Sequence, residues 1–395
     1  MNLLAQHGYG KGNKIDRALK CNDLSGVVLS PKGESPHKME EYIHALKKNN
    51  PEVKVYFDPQ FHACCLQGEI NAGKLVEYPY FSAGLTRAHL SAPANIRHYA
   101  RSIINYQKEL SLTDFFSPTI AFDDFNGRES QTGISLAYES IEITDAANNL
   151  YVSLYINETA FRNREALEEF LNVISLFDVR GFYIVVERVS NTDKATAMSP
   201  NILSNLMWFV YILSEVNGFD VIVGYSDFLS LPLSAVSNAS FACGWYNNLK
   251  MYSEANFRPL SGGRRPRKRY SSSVLMSSLL LVPEIISLNR MGILPQVESP
   301  SPYNEIIRPN LNDAEWTDEI SCLHNWHVLK SVLTEVENMG SVPAKLDYVT
   351  SKIINASEIY RAISERGFQL DAKSSGTHLS MWLAAISDFR IQAGI

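Results

Sequence analysis

The residues most suited to chemistry in this chain are carboxylates that each end an apolar run. Asp58 follows Val53–Phe57, Asp123 and Asp124 follow Pro118–Phe122, Glu158 follows Leu150–Ile156, and Glu187 follows Gly181–Val186. Two carboxylates in unlike surroundings have separated pKa values and divide the work of acid and base, or of nucleophile and acid. Asp58 and Asp123 lead this set because each directly ends its run, and Glu158 with Glu187 forms a second, glycosidase-like pair. The same run ends carry His7, Ser30, Lys32, Gln60, His62, Asn157, Arg188, Tyr225, Asp227, Trp245 and Asn247. Of these, His7, Gln60, Tyr225, Asp227 and Trp245 are the expected substrate-binding residues. No HxH or HExxH spacing is present, so neither a metal nor a cofactor is expected.

Eight strand-like runs would position these groups: Asn2–Gln6, Gly26–Ser30, Val53–Phe57, Pro118–Phe122, Leu150–Ile156, Gly181–Val186, Asp220–Gly224 and Ser237–Cys243. Most are continuously apolar, as strands covered on both faces should be. Helical patterns separate them, at Ser35–Leu46, Ala94–Leu110, Asn163–Phe177 and Ser199–Val216, two of them opening on Ser-Pro. Alternation at this spacing implies a parallel sheet with right-handed crossovers. Eight strands predict an α/β fold, a closed (β/α)8 barrel over 1–299, with an open doubly wound sheet as the alternative. A barrel gathers its active site at the C-terminal strand ends, where these polar residues lie. Beyond Pro300 three amphipathic helices, Trp316–Met339, Ala344–Glu365 and Thr377–Ile391, predict a helical C-terminal subdomain over 300–395 that packs on the barrel or docks a protein partner.

The 395 residues are 45% hydrophobic and 20% charged, ordinary for a soluble globular protein. A formal net charge of -6 gives no overall attraction to nucleic acid, so any such contact must be local. One local cluster stands out: five of the six residues from Arg264 to Arg269 are cations, namely Arg264, Arg265, Arg267, Lys268 and Arg269. Following the last strand, it is expected near the barrel mouth, in contact with nucleic-acid phosphates. The Gly8–Lys14 stretch reads either as a tight turn or as a cradle for a phosphate. Five scattered cysteines without CxxC spacing indicate reduced thiols, and the start of the chain lacks the pattern of a signal peptide. No run is apolar enough to span a bilayer. A cytoplasmic protein is expected.

Phe122-Asp123-Asp124 resembles the Phe-Asp-Glu or Phe-Asp-Asp segment of tRNA-guanine transglycosylases, base-exchanging (β/α)8 enzymes. Phe57-Asp58-Pro59-Gln60-Phe61 resembles a degraded form of that family's Asp-Ser-Gly-Gly-Phe-Gln segment, and Leu154-Tyr155-Ile156, Gly181-Phe182-Tyr183 and Val223-Gly224-Tyr225 follow in the family's order. The resemblance, over about residues 50–250, implies that Asp58 and Asp123 lie in a base-binding pocket. Two features depart from it. No carboxylate stands near Phe241-Ala242-Cys243, where the family's nucleophile aligns, and the cysteine-rich zinc motif is missing. The resulting expectation is an enzyme acting on a nucleotide or nucleic-acid substrate at an N-glycosidic bond. The alternatives are a catalytically inactive barrel that binds nucleic acid or protein within a larger complex, and a carbohydrate-active glycosidase.

Overall fold

The computed structural model describes residues 1–144, 149–188, 194–259, 267–307 and 315–395. Nine strands form one parallel sheet: β1 (Leu3–Gln6), β2 (Gly26–Leu29), β3 (Lys54–Phe57), β4 (Asp114–Phe116), β5 (Ala121–Phe122), β6 (Asn149–Asn157), β7 (Gly181–Glu187), β8 (Asp220–Val223) and β9 (Ser240–Cys243). Their order is β3-β2-β1-β9-β8-β7-β6-β4, with β5 also on β6. Because β4 and β5 are two pieces of one barrel strand, the sheet is an eight-stranded, nearly closed (β/α)8 barrel. Nearly every strand residue is buried, as expected for a sheet filled by side chains inside and ringed by helices outside.

The fourth strand differs from the expected Pro118–Phe122. Its first piece pairs Asp114, Phe115 and Phe116 with Asn149, Leu150 and Tyr151, and the second pairs Ala121 and Phe122 with Tyr155 and Ile156. Pro118 has no N–H to give a ladder, so pairing breaks there. Ser117 bridges the break: its N–H donates to Tyr151 O at 3.0 Å, and its Oγ accepts from Ser153 N at 3.0 Å.

Between β3 and β4 the barrel has a seam. Tyr56 stacks on Phe116 across it, with ring centroids 5.3 Å apart. The free edge of β4 is satisfied by a side chain: Gln107 Nε2 donates to Phe116 O at 2.8 Å, and Phe116 N donates to Gln107 Oε1 at 2.9 Å. A fully buried primary amide thus takes the place of the missing neighbour strand.

The expected helices are found at Pro36–Asn49, Pro93–Glu109, Arg164–Ile174 and Pro200–Tyr211, the last continued by a wider turn over Ile212–Val216. A helix without a strong apolar stripe, Arg128–Ile143, completes the β5–β6 crossover. After β9 the chain forms an antiparallel hairpin, β10 (Arg269–Ser272) and β11 (Ser277–Leu280), with its own small core around Tyr270, Leu279 and Trp316. The helix Asp318–Glu337 then packs between Lys14–Lys20 and Ser230–Ser234, the place of the barrel's eighth helix. Val342–Glu365 and Thr377–Ala393 follow it, and all three contribute to the barrel's hydrophobic core. No helix among the described residues is long and apolar enough to cross a membrane.

Candidate functional site: a sealed mouth and a cationic side pocket

At the C-terminal end of the barrel, Asp58 is 1% exposed at the centre of a tyrosine layer. Its Oδ2 accepts from Tyr155 Oη at 2.5 Å and from Tyr183 Oη at 3.4 Å, and its Oδ1 accepts from Gln60 N at 2.9 Å. Burial pushes this carboxyl up to about 6 against those three stabilising hydrogen bonds. Gln60 takes a left-handed backbone (φ 50°) directly after Pro59, which turns its amide back toward Asp58 and lets Oε1 accept from Ser30 Oγ at 3.1 Å. His62 stacks on Tyr155 with centroids 4.0 Å apart and meets Tyr252 Oη through Nε2 at 2.6 Å. Burial, with Lys32 nearby, pushes His62 down to about 3. His7 is likewise buried, and its Nδ1 accepts from Ser30 N at 3.4 Å. Tyr225, at φ 53°, closes this layer beside Tyr252, 5.4 Å between centroids. Among the described residues Gln6 Nε2, His7 Nε2 and His62 Nδ1 lack hydrogen-bond partners.

The other carboxylates lie apart from Asp58. Asp123 and Asp124 are exposed on the outer rim, and Asp124 Oδ1 accepts from Asn126 N at 3.0 Å to start the loop. Glu187 accepts from Asn157 Nδ2 at 3.2 Å and from Glu254 N at 3.0 Å, and burial holds its pKa above the usual range. Glu158 receives Arg188 Nε at 2.6 Å. Arg188 is itself buried and reaches on to Ala195 O at 2.9 Å and to Ala197 O. This ion pair therefore anchors the segment that begins at Lys194.

Lys194 lines a pocket of about 470 Å³ beside the mouth, between the β8 and β9 ends, the hairpin and the helix Asp318–Glu337. Its lining includes seven cations, Lys14, Lys194, Lys250, Lys373 and the run Arg267–Arg269, against three carboxylates, Asp227, Asp318 and Asp371. Among the described residues Lys250 pairs with Asp227 and Arg269 with Asp371, both at 3.3 Å. Arg269 also donates to Ser278 O at 2.6 Å and Ser374 Oγ at 3.1 Å, which makes it a structural part of the hairpin. Lys194 Nζ donates to Ser277 Oγ at 3.3 Å and to Ser375 O. Burial, then the Arg269 charge, pushes this ammonium down to about 7. Asp227 and Trp245 also line this pocket.

The sequence-marked residues thus divide into three groups. Asp58, Gln60, His7 and Tyr225 share the sealed mouth. Asp227, Trp245, Arg267, Lys268 and Arg269 share the side pocket, while Asp123, Asp124, Glu158 and Glu187 occupy the rim. Arg264 and Arg265 lie outside the described residues. Lys14 reaches the pocket from the glycine-rich turn, while its Nζ donates to Gly10 O at 2.7 Å. Lys194, Lys250 and Lys373 went unmarked because each is a single cation with no motif around it. Among the described residues no three His, Cys, Asp or Glu side chains converge to hold a metal.

No family model and no curated protein matches this chain. Among solved structures, xylanase B from Clostridium stercorarium F9 is similar at a TM-score of 0.39 and 11% identity, over 66% of this chain and 91% of that chain.

Proposed function

We propose that this barrel binds a phosphate-bearing ligand, a nucleotide or nucleic acid, in the side pocket rather than along the barrel axis. The observation that carries the reading is the net charge of the pocket wall, four positive among the described residues from seven cations and three carboxylates, in a chain of net charge -6. A concave site with low-dielectric walls focuses such a field on an anion. Retaining a buried lysine there costs stability, and a bound phosphate would compensate it.

The test is binding of labelled tRNA, single-stranded DNA and duplex DNA at two salt concentrations, for wild type and an Arg267→Ala/Lys268→Ala variant. Each lost phosphate contact lowers the slope of log affinity against log salt by about 0.9 on duplex and about 0.7 on a single strand. The double variant should therefore flatten the slope by roughly 1.4–1.8 units. An unchanged slope refutes the reading.

A second reading, acid or base chemistry at an N-glycosidic bond, is favoured by the mouth itself. Asp58 titrates near 6, and Gln6, His7 and His62 present unpartnered nitrogens close to it. Asp58, however, lines neither the side pocket nor the small cavity bounded by Tyr225 and Tyr252. Chemistry there requires the tyrosine layer to open.

A further inference from the structure

The side pocket is lined by aromatic side chains as well as cations, and the combination specifies its ligand more narrowly than charge does. Trp245 and Tyr246, at the end of β9, are its aromatic part. Trp245 is held firmly: its Nε1 donates to Tyr9 O at 2.8 Å, and its ring sits edge-on to Trp326 at 6.2 Å and to His7 at 6.4 Å. Fixed from behind, the indole is still only half-buried, and Lys14 Nζ lies over its ring, 5.4 Å from the centroid. A rigid aromatic plane next to a cation is the arrangement on which bases stack, at little entropic cost to the protein.

We propose that the pocket holds one nucleoside phosphate, its base stacked on Trp245 with Tyr246 set edgewise beside it, 67° between the two rings, and its phosphate toward Lys194, Arg267 and Lys268. This inference rests on the pocket being the phosphate site proposed above. A volume of about 470 Å³ falls within the range of small-molecule sites. A sugar phosphate would use the cations and leave the indole idle. A continuous strand would instead need an open groove lined with successive stacking residues.

The experiment titrates the full chain with the four nucleoside 5′-monophosphates and with ribose 5-phosphate, by calorimetry and by tryptophan fluorescence. Stacking one base typically strengthens binding by about tenfold or more, so the best nucleotide should bind at least about tenfold more tightly than ribose 5-phosphate. Trp245→Leu should bring that nucleotide down to the ribose 5-phosphate value while changing ribose 5-phosphate itself by less than about twofold. Trp245→Phe should keep most of the preference. Equal affinities in the wild type overturn the proposal without need of any variant, and so does a preference that survives in a folded Trp245→Leu protein. If no monophosphate binds while tRNA or DNA does so with salt dependence, the nucleoside phosphate is overturned and the phosphate site stands. If no anion binds at all, both fall.

Discussion

Lys194→Met should make the protein more stable near neutral pH and alter how its stability responds to pH. The ammonium is moved from 10.5 to about 7, chiefly by burial. At about 1.4 kcal/mol per unit, the charged form costs the folded state about 5 kcal/mol. Methionine has similar length and no charge. It strands Ser277 Oγ and Ser375 O, however, which takes back about 1–3 kcal/mol. The net gain should be about 2–4 kcal/mol at pH 6. The sign of the pH dependence follows from proton counting. Between pH 7 and 10.5 the unfolded chain holds a proton on this amine that the folded chain has released, so wild-type stability rises with pH. From pH 6 to pH 9 this one group should add about 2.7 kcal/mol to the wild type and nothing to the variant, so the gap closes. Urea denaturation of both proteins at pH 6 and pH 9 measures it. Parallel responses to pH would refute the reasoning, because Lys194 would then be charged in both states across this range. The more stable variant should also lose phosphate affinity, the trade expected where a site is kept at the expense of the fold.

Two further outcomes test the barrel itself. Gln107→Leu removes the amide that satisfies both Phe116 N and Phe116 O at the open seam, and should lower stability by about 2–4 kcal/mol with an unchanged denaturant slope; a loss under about 0.5 kcal/mol would mean that the seam finds other partners. Asp58→Asn bears on the mouth: because the folded carboxyl is raised from 3.8 to about 6, it contributes stability that is complete below pH 4 and is lost as pH rises through 6, about 3 kcal/mol in all. The Asn variant should lack that decline in urea titrations between pH 4 and pH 7. If the mouth carries N-glycosidic chemistry the variant should also lose turnover, whereas a fully active Asp58→Asn protein ends that reading.

The sequence by itself determined the parallel strand-helix alternation, and its eight strands pointed to the barrel. Continuous apolar runs such as Gly181–Val186 have no solvent face to give them alternation, so they read as strands covered on both sides, and the capped helices between them impose parallel pairing. It also marked the C-terminal strand ends, since a strand ends where its apolar run ends. Period and composition do not report distance, and here only the tertiary structure decided. Pro118 broke the fourth strand and placed its main piece at Asp114–Phe116, a run too short to stand out. Arg128–Ile143 lacks a strong stripe because much of its buried face is serine, glycine and alanine. Asp58 and Asp123 resemble each other in sequence, yet one is sealed beneath tyrosines and the other is exposed. The pocket brings Lys14, Lys194, Lys250 and Lys373 together from four separate elements. Each is unremarkable in its own segment, and their summed charge exists only once the chain has folded.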